Sequence, residues 1–98
     1  MEVKLRMNEK AHGAFYIMDG DTRLGEMVIG IAGDTLTAYH TEVFPGGEGR
    51  GLAKMLLNAM ADYARQHQLK VKPLCLYVHA QFNKHPEIYG DVWQREEA

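Results

Sequence analysis

The sequence predicts an α+β fold in which an antiparallel β-meander precedes a helix and a further strand. Period-two alternation of apolar and polar residues in the first half is typical of half-buried strands. In residues 51–68, by contrast, apolar residues recur three and four positions apart, which indicates an amphipathic helix. A chain of 98 residues can build one modest core, so we expect residues 1–98 to form a single domain.

Four strands are predicted in the first half because short turn sequences separate four apolar stretches. Val3, Leu5 and Met7 alternate with basic residues in the first of them. An Asp-Gly-Asp turn and an Ala-Gly-Asp turn divide the later strands. The predicted strands are Val3–Met7, 14–18, 25–31 and Thr35–Val43.

The second half begins with the helix over residues 51–68. A short apolar run over residues 71–78 follows and predicts a strand, since Pro73 near its start is tolerated there. A strand–helix–strand crossover is usually parallel and right-handed. We therefore expect residues 35–43 and 71–78 to lie side by side and parallel.

The end of the chain is predicted to be mostly helical or irregular. A short helix is expected over residues 80–85, and Pro86 ends it. Residues 91–98 are expected to be a weakly ordered tail, with Trp93 as its anchor.

Composition and charge limit the classes of function. The formal net charge is -2, so binding of nucleic acid across a broadly basic surface is not expected. Cys75 is the only cysteine, which excludes an internal disulfide and favours a reducing, cytoplasmic location. No apolar run reaches about 18 residues, so no membrane span is expected. The five histidines lack metal-ligand spacing, so no metal site is expected.

The most informative segment covers residues 43–57, V-F-P-G-G-E-G-R-G-L-A-K-M-L-L, and leads into the predicted helix. Glycine allows close approach of the backbone, and a helix start presents unpaired N–H groups at the positive end of the helix dipole. Together they form a site suited to phosphate or pyrophosphate. Arg50 and Lys54 add positive charge beside it.

Two common phosphate-binding motifs do not match this segment. A Walker-type loop requires lysine directly after glycine and then serine or threonine, whereas Lys54 follows Ala53 and precedes Met55. A dinucleotide fingerprint requires G-x-G-x-x-G, whereas these glycines are spaced G-x-G-x-G after a meander. A plain flexible turn before a helix is the remaining alternative.

The order of the motifs resembles the GNAT acyltransferase superfamily. Its loop pattern Q/R-x-x-G-x-G/A matches the G-R-G of residues 49–51, with Gly46 where the family usually has Gln or Arg. Small single-domain members are similar over about residues 14–92, with Phe44 as an additional residue before the loop. The shared motifs are H-T-E-V over residues 40–43, Pro45, G-R-G-L-A over 49–53, P-L-C-L-Y-V over 73–78 and His85-Pro86.

The resemblance implies the three-layer α/β arrangement of that family and a site for acetyl-coenzyme A. Backbone N–H groups of the loop would hold the pyrophosphate, and backbone groups near Val43 would pair with the pantetheine arm and supply the oxyanion donor. Asn83 and Lys84 could contact the cofactor or be plain helix surface. The expected cofactor-binding residues are Val43, Phe44, Gly47, Gly49, Arg50, Gly51, Leu52, Ala53, Lys54, Asn83 and Lys84.

Three residues are candidates for the chemistry of acyl transfer. Cys75 could be a nucleophile lying across from His40, or a small buried apolar residue. His40 could be a base near neutral pH, or a satisfied histidine on the sheet. Glu42 shares a face with His40 and could orient it, act as base, or be a solvated carboxylate. Tyr77 and Tyr89 could protonate the leaving thiolate, although core packing is the simpler expectation for Tyr77.

The predicted function is transfer of an acetyl group from acetyl-coenzyme A to an amine of a small molecule, peptide or protein, with activity that could be weak. The protein is expected to be a monomer or a weak homodimer, with no nucleic-acid or membrane partner. Two alternatives remain open. One is a module that binds coenzyme A or acyl-coenzyme A without turnover, and the other is a small protein-interaction domain whose glycine loop is only a turn.

Overall fold

The computed structural model describes residues 2–95, which form one five-stranded sheet and three helices. The elements are β1 (Val3–Met7), β2 (His12–Asp19), β3 (Thr22–Ala32), β4 (Thr35–Val43), α1 (Leu52–Gln66), β5 (Lys70–Pro73), α2 (Leu76–Lys84) and α3 (Pro86–Tyr89). The strands lie in sequence order across the sheet, antiparallel from β1 to β4 and parallel between β4 and β5. The predicted α+β fold, its meander and its parallel pair are confirmed.

One face of the sheet carries the helices and the other is uncovered. Phe15 of β2 packs edge-on against Tyr63 of α1, with 5.7 Å between ring centroids. Tyr89 of α3 donates a hydrogen bond to Asn58 of α1 at 2.9 Å, so α3 lies on the same side. Residues 2–95 thus supply two of the three layers expected, because a short turn rather than a helix joins β1 to β2. The core includes Ile17, Met27, Ile29, Leu36, Leu56, Leu57, Met60, Val71, Val78 and Phe82.

A β-bulge at Tyr39 changes which residues of β4 face the helices. Ala38 and His40 pair with consecutive residues of β3, so Tyr39 between them is an extra residue. Ala38 and Thr41 therefore both point to the helical side. His40 and Glu42 point to the uncovered face, because successive strand residues alternate in direction.

The strand predicted over residues 71–78 is wrong beyond Pro73, where the chain turns into α2. The buried residues that follow, Cys75, Val78 and Phe82, are three and four positions apart. That spacing is the apolar stripe of a helix rather than the alternation of a strand. The error arose because a short apolar run fits both elements.

The end of the chain is better ordered than the sequence predicts. Residues 80–85 continue α2, which Pro86 ends as expected, and α3 follows without having been predicted. Trp93 forms a parallel bridge with Val71 at the outer edge of β5, consistent with its expected role as an anchor. Residues 96–98 of the predicted tail lie outside the described residues. No helix in the described part of the chain is long and apolar enough to cross a membrane.

Candidate active site

The loop between β4 and α1 has a backbone conformation that glycine favours. Gly46, Gly49 and Gly51 have φ angles of 96°, 75° and 71°. L side chains rarely adopt such values. A Cβ built at Gly49 or Gly51 would meet no atom within 4 Å, so the backbone at both positions is open to a ligand.

Gly47 has a different role, because it packs into the base of the loop. A Cβ there would lie 2.8 Å from Cδ1 of Leu52 and 2.9 Å from the carbonyl oxygen of Leu24. The N–H of Gly47 donates to the carbonyl oxygen of Phe44 at 3.0 Å. The N–H of Phe44 donates in turn to the carbonyl oxygen of Leu24 at 2.9 Å. These contacts hold the loop against the start of β3.

The first turn of α1 presents donors without partners. The first hydrogen bond of the helix runs from the N–H of Met55 to the carbonyl of Gly51 at 3.2 Å. The N–H groups of Leu52, Ala53 and Lys54 precede it and have no intrahelical acceptor. No side chain caps them, and the first turn contains no acidic residue. This helix start is therefore free to bind an anion.

Two charged side chains fold back on the loop itself. Arg50 donates from Nη1 to the carbonyl oxygen of Gly46 at 3.3 Å. Glu48 accepts from the N–H of Gly46 at 3.2 Å. Sequence reasoning missed Glu48, since nothing in G-E-G indicates that this carboxylate turns back to its own loop.

A groove of about 350 Å³ runs along the loop and the start of α1. It unites most of the predicted cofactor-binding residues and adds Glu48 and Tyr77. Tyr77 had been expected to pack in the core or to protonate the leaving thiolate. Phe44 and Arg50 lie in the loop but do not line the groove. Asn83 and Lys84 are exposed and lie at the far end of α2. The groove is lined by Val43, Gly47, Glu48, Gly49, Gly51, Leu52, Ala53, Lys54 and Tyr77.

Beside the groove, the β5-facing edge of β4 has no strand partner among residues 2–95 beyond Ala38. β5 pairs with β4 only from Thr35 to Ala38, whereas β4 continues to Val43. At about 3.3 Å per residue, the free edge of five residues is about 16 Å long. Main-chain groups on this edge can pair with an extended ligand that runs from the loop toward Ala38.

Cys75 lies where the two strands separate. It precedes the first residue of α2, is 5% exposed, and its N–H donates to the carbonyl of Ala38 at 2.8 Å. Its Sγ lies 3.3 Å from Oγ1 of Thr41, on the helical side of the sheet. The predicted position of Cys75 on a strand is therefore wrong.

His40 and Glu42 form a pair on the opposite, uncovered face. Nε2 of His40 lies 3.2 Å from Oε1 of Glu42, and their side chains are 61% and 50% exposed. The expected contact of Glu42 with His40 is present. The expected approach of His40 to Cys75 is not, because the bulge at Tyr39 turns the imidazole away from the side that holds the thiol.

The two tyrosines differ in their access to the groove. Tyr89 is 1% exposed, and its hydroxyl donates to Asn58. Tyr77 is half-buried, packs partly on the core and lines the groove. Burial raises the pKa of Tyr77, and the neighbouring Tyr89 and Cys75 raise it further, so its hydroxyl keeps its proton at neutral pH.

A glycine loop that leads from the fourth strand of a meander into a helix is the arrangement expected of a GNAT acyltransferase. The family model of GCN5-related N-acetyltransferases matches residues 14–92. The chain belongs to this family, and it is accordingly an acyltransferase.

A solved structure agrees over nearly the whole chain. The chain is similar to a GCN5-like protein from Staphylococcus aureus, determined by NMR in solution and assigned to the N-acetyltransferases, with a TM-score of 0.70 and 27% sequence identity. The match covers 96% of this chain and 90% of that one. A comparison with curated proteins finds no match.

Proposed function

We propose that the chain transfers the acetyl group of acetyl-coenzyme A to an amine. The observation that carries this proposal is the start of α1, where open backbone at Gly49 and Gly51 adjoins three N–H groups without intrahelical partners. Such a helix start favours a pyrophosphate. Membership of an N-acetyltransferase family supports the same function.

The residues of the groove fit the anionic end of this cofactor. The N–H groups of Leu52, Ala53 and Lys54 would hold the pyrophosphate, with the Lys54 ammonium beside it. The free edge of β4 near Val43 would pair with the amides of the pantetheine arm and offer an N–H to the acyl carbonyl oxygen. Asn83 and Lys84 do not line the groove, and Phe44 and Arg50 would act by shaping the loop.

The proposed base and the proposed proton donor lie on opposite faces of the sheet. Bound acetyl-coenzyme A supplies a thioester carbonyl to the site. On the uncovered face, His40, oriented by Glu42, would take the proton that the attacking amine loses. The Tyr77 hydroxyl, which lines the groove and keeps its proton at neutral pH, would give that proton to the sulfur of the departing coenzyme A.

Direct transfer is the route that this arrangement favours. An acyl-cysteine route would need a base for the thiol of Cys75. That thiol contacts Thr41 on the helical side, while His40 and Glu42 lie on the other side. We therefore assign Cys75 to packing at the strand separation rather than to nucleophilic catalysis.

Calorimetric titration of acetyl-coenzyme A into the protein tests the proposal. Micromolar affinity, about -8 kcal/mol, is expected for the natural sequence. Gly51→Ala should weaken binding at least tenfold, because a strained residue with a Cβ stands where the phosphates approach. Gly33→Ala is the matched control: Gly33 has φ of 58° and open space around it, but lies in the β3–β4 turn.

The two variants separate ligand binding from backbone strain. Loss of binding in Gly51→Ala alone supports the pyrophosphate site. Equal loss in Gly33→Ala would mean that strain, rather than the loop, is responsible. No binding by the natural sequence would contradict the proposed cofactor, and binding without transfer to any amine would leave only a coenzyme A-binding module.

A further inference from the structure

We propose that the uncovered face of the sheet is the docking surface for the acceptor, and that the acceptor is a polypeptide segment with an acidic residue near its reacting amine. The inference rests on the proposed function, because it takes the His40–Glu42 pair as the base. The strand register carries the argument.

The register aligns two cross-strand rows on this face. Residues paired across antiparallel strands point to the same side, so each row can be read from β4 to β1. The first row is His40, Val28, Ala14 and Arg6, and the second is Glu42, Glu26, Tyr16 and Lys4. His40 thus lies at the β4 end of the rows, and the two basic residues Arg6 and Lys4 lie at the β1 end. Lys72 of β5, paired with Thr37, lies beyond β4 on the same face.

Acidic and basic side chains lie at different ends of these rows. Glu42 is paired with His40, and Glu26 is paired with Arg23 at 3.0 Å. The Arg23 guanidinium also lies over the Tyr16 ring, 4.3 Å from its centroid. Lys4 and Arg6 form no ion pair with any of residues 2–95. The β1 end of the face therefore has positive charge available to a partner.

A shallow groove follows this basic end, lined in part by Arg6, His12, Tyr16 and Arg23, with a volume of about 470 Å³. Small-molecule sites are usually concave and enclose their ligand. No helix of residues 2–95 covers this face, which therefore offers no such enclosure and favours an extended chain lying across the strands. The carboxylates of Glu26 and Glu42 on the same face disfavour nucleic acid, whose phosphates they would repel.

The spacing sets the position of the acidic residue. Three strand intervals of about 4.8 Å separate His40 from Arg6, so the distance is about 14 Å. An extended peptide advances about 3.3 Å per residue. When the reacting amine of an extended peptide lies at His40, the side chain about four residues away along that peptide therefore lies over Arg6 and Lys4.

Two matched acceptor peptides test the inference. The two peptides carry the same reacting amine. They differ at a single position, about four residues from that amine, where one has Glu and the other has Gln. The natural protein should acetylate the Glu peptide with a kcat/KM roughly 2- to 5-fold higher, the size of one exposed charge pair. Added salt should reduce the difference, because the charges are exposed.

Arg6→Glu should abolish or reverse this preference. Lys10→Glu is the control, because it makes the same charge change in the β1–β2 turn outside both rows. Acetyl-coenzyme A affinity, measured on each variant, should stay unchanged, since the cofactor groove lies elsewhere. A preference that disappears only in Arg6→Glu supports the docking surface.

Other results overturn the inference in distinguishable ways. Equal acetylation of the two peptides, or a preference that survives Arg6→Glu, means that this face does not read acidic residues. Binding of acetyl-coenzyme A with no peptide acetylated excludes a polypeptide acceptor but leaves the proposed cofactor site. Inhibition by a single-stranded oligonucleotide but not by the Glu peptide, or a dimer through this face, assigns the surface to another partner. Failure to bind acetyl-coenzyme A rejects the proposed function first.

Discussion

Single glycines in the loop before α1 serve two different physical purposes. Gly49 and Gly51 adopt positive φ angles and leave empty space above the backbone, so they matter for what approaches from outside. Gly47 has no such angle, but its missing Cβ is the reason that Leu52 and the Leu24 carbonyl can close on it. Binding and folding are therefore separable within one short loop.

Gly47→Ala should destabilise the fold by about 2 kcal/mol, because the added Cβ would collide with a backbone oxygen and a buried side chain. Gly49→Ala should cost only about 1 kcal/mol, the strain of the left-handed backbone. Urea unfolding of both variants measures the difference. Equal losses would contradict the tight packing of Gly47.

His40→Ala should lower kcat by about 100-fold or more, as expected for removal of a general base, without weakening acetyl-coenzyme A binding. Cys75→Ala should keep kcat within about threefold, because the thiol has no base beside it. Steady-state kinetics of the two variants measure both effects on kcat. A large loss in Cys75→Ala, with an acetylated cysteine found by intact-protein mass, would reject direct transfer.

Among the elements, the segment after α3 is held by a compact polar network. Arg65 of α1 donates to Asp91 at 2.7 Å, to Asp62 at 2.9 Å and to the carbonyl of Ile88 at 2.6 Å. Lys70 of β5 donates to the carbonyl of Asp91 at 2.5 Å. The network ties the chain end to α1 and β5, where a weakly ordered tail had been expected.

Asp91→Asn should therefore change stability in a pH-dependent way. The hydrogen bond from Arg65, and then its charge, lower the pKa of Asp91 below its ordinary value of 3.8. The contribution of the carboxylate is present above that value and is lost as pH falls through the lower folded pKa. At pH 7 the variant should be less stable by about 0.5 kcal/mol, since the pair is exposed.

Unfolding free energies measured by urea at several pH values test this expectation. The difference between the natural protein and Asp91→Asn should shrink as pH falls below the ordinary carboxyl pKa and be lost once the pH is below the lowered pKa of Asp91 in the folded protein. Asp21→Asn, an exposed change in the β2–β3 turn, is the control. A difference that is constant with pH would mean that the charge of Asp91 contributes nothing.

For the whole molecule, the uncovered face and the groove beside the glycine loop lie on opposite sides of one sheet. A ligand that binds only the folded chain must raise the stability of the entire cooperative unit. At ten times its dissociation constant, acetyl-coenzyme A should add about 1.4 kcal/mol to the free energy of unfolding. For a domain of this size, that corresponds to a rise in Tm of roughly 6–11 °C.

Thermal unfolding followed with increasing acetyl-coenzyme A measures this rise. Gly33→Ala should show the same increase as the natural protein, because its turn is remote from the groove, whereas Gly51→Ala should show little. A rise in Gly51→Ala equal to that of the natural protein would mean that the ligand stabilises the fold through another site.

The sequence by itself determined the four-stranded meander, the parallel pair and the place of the glycine loop before α1. Those features depend on the spacing of apolar residues, on turn residues and on the glycine motif. Each of these lies within a short stretch of sequence. The location of β4 was predicted correctly because alternation and β-branched residues agree there. The first residues of α2 were assigned to a strand because the apolar run over residues 74–78 has no period that separates strand from helix.

Tertiary structure alone decided the relations between distant residues. The bulge at Tyr39 is set by pairing with β3, and it sends His40 and Cys75 to opposite faces. The rows from His40 to Arg6 exist only because three hairpins fix their register. Such contacts join residues far apart in sequence, so no local pattern records them, and they decide which side of the sheet each proposed role occupies.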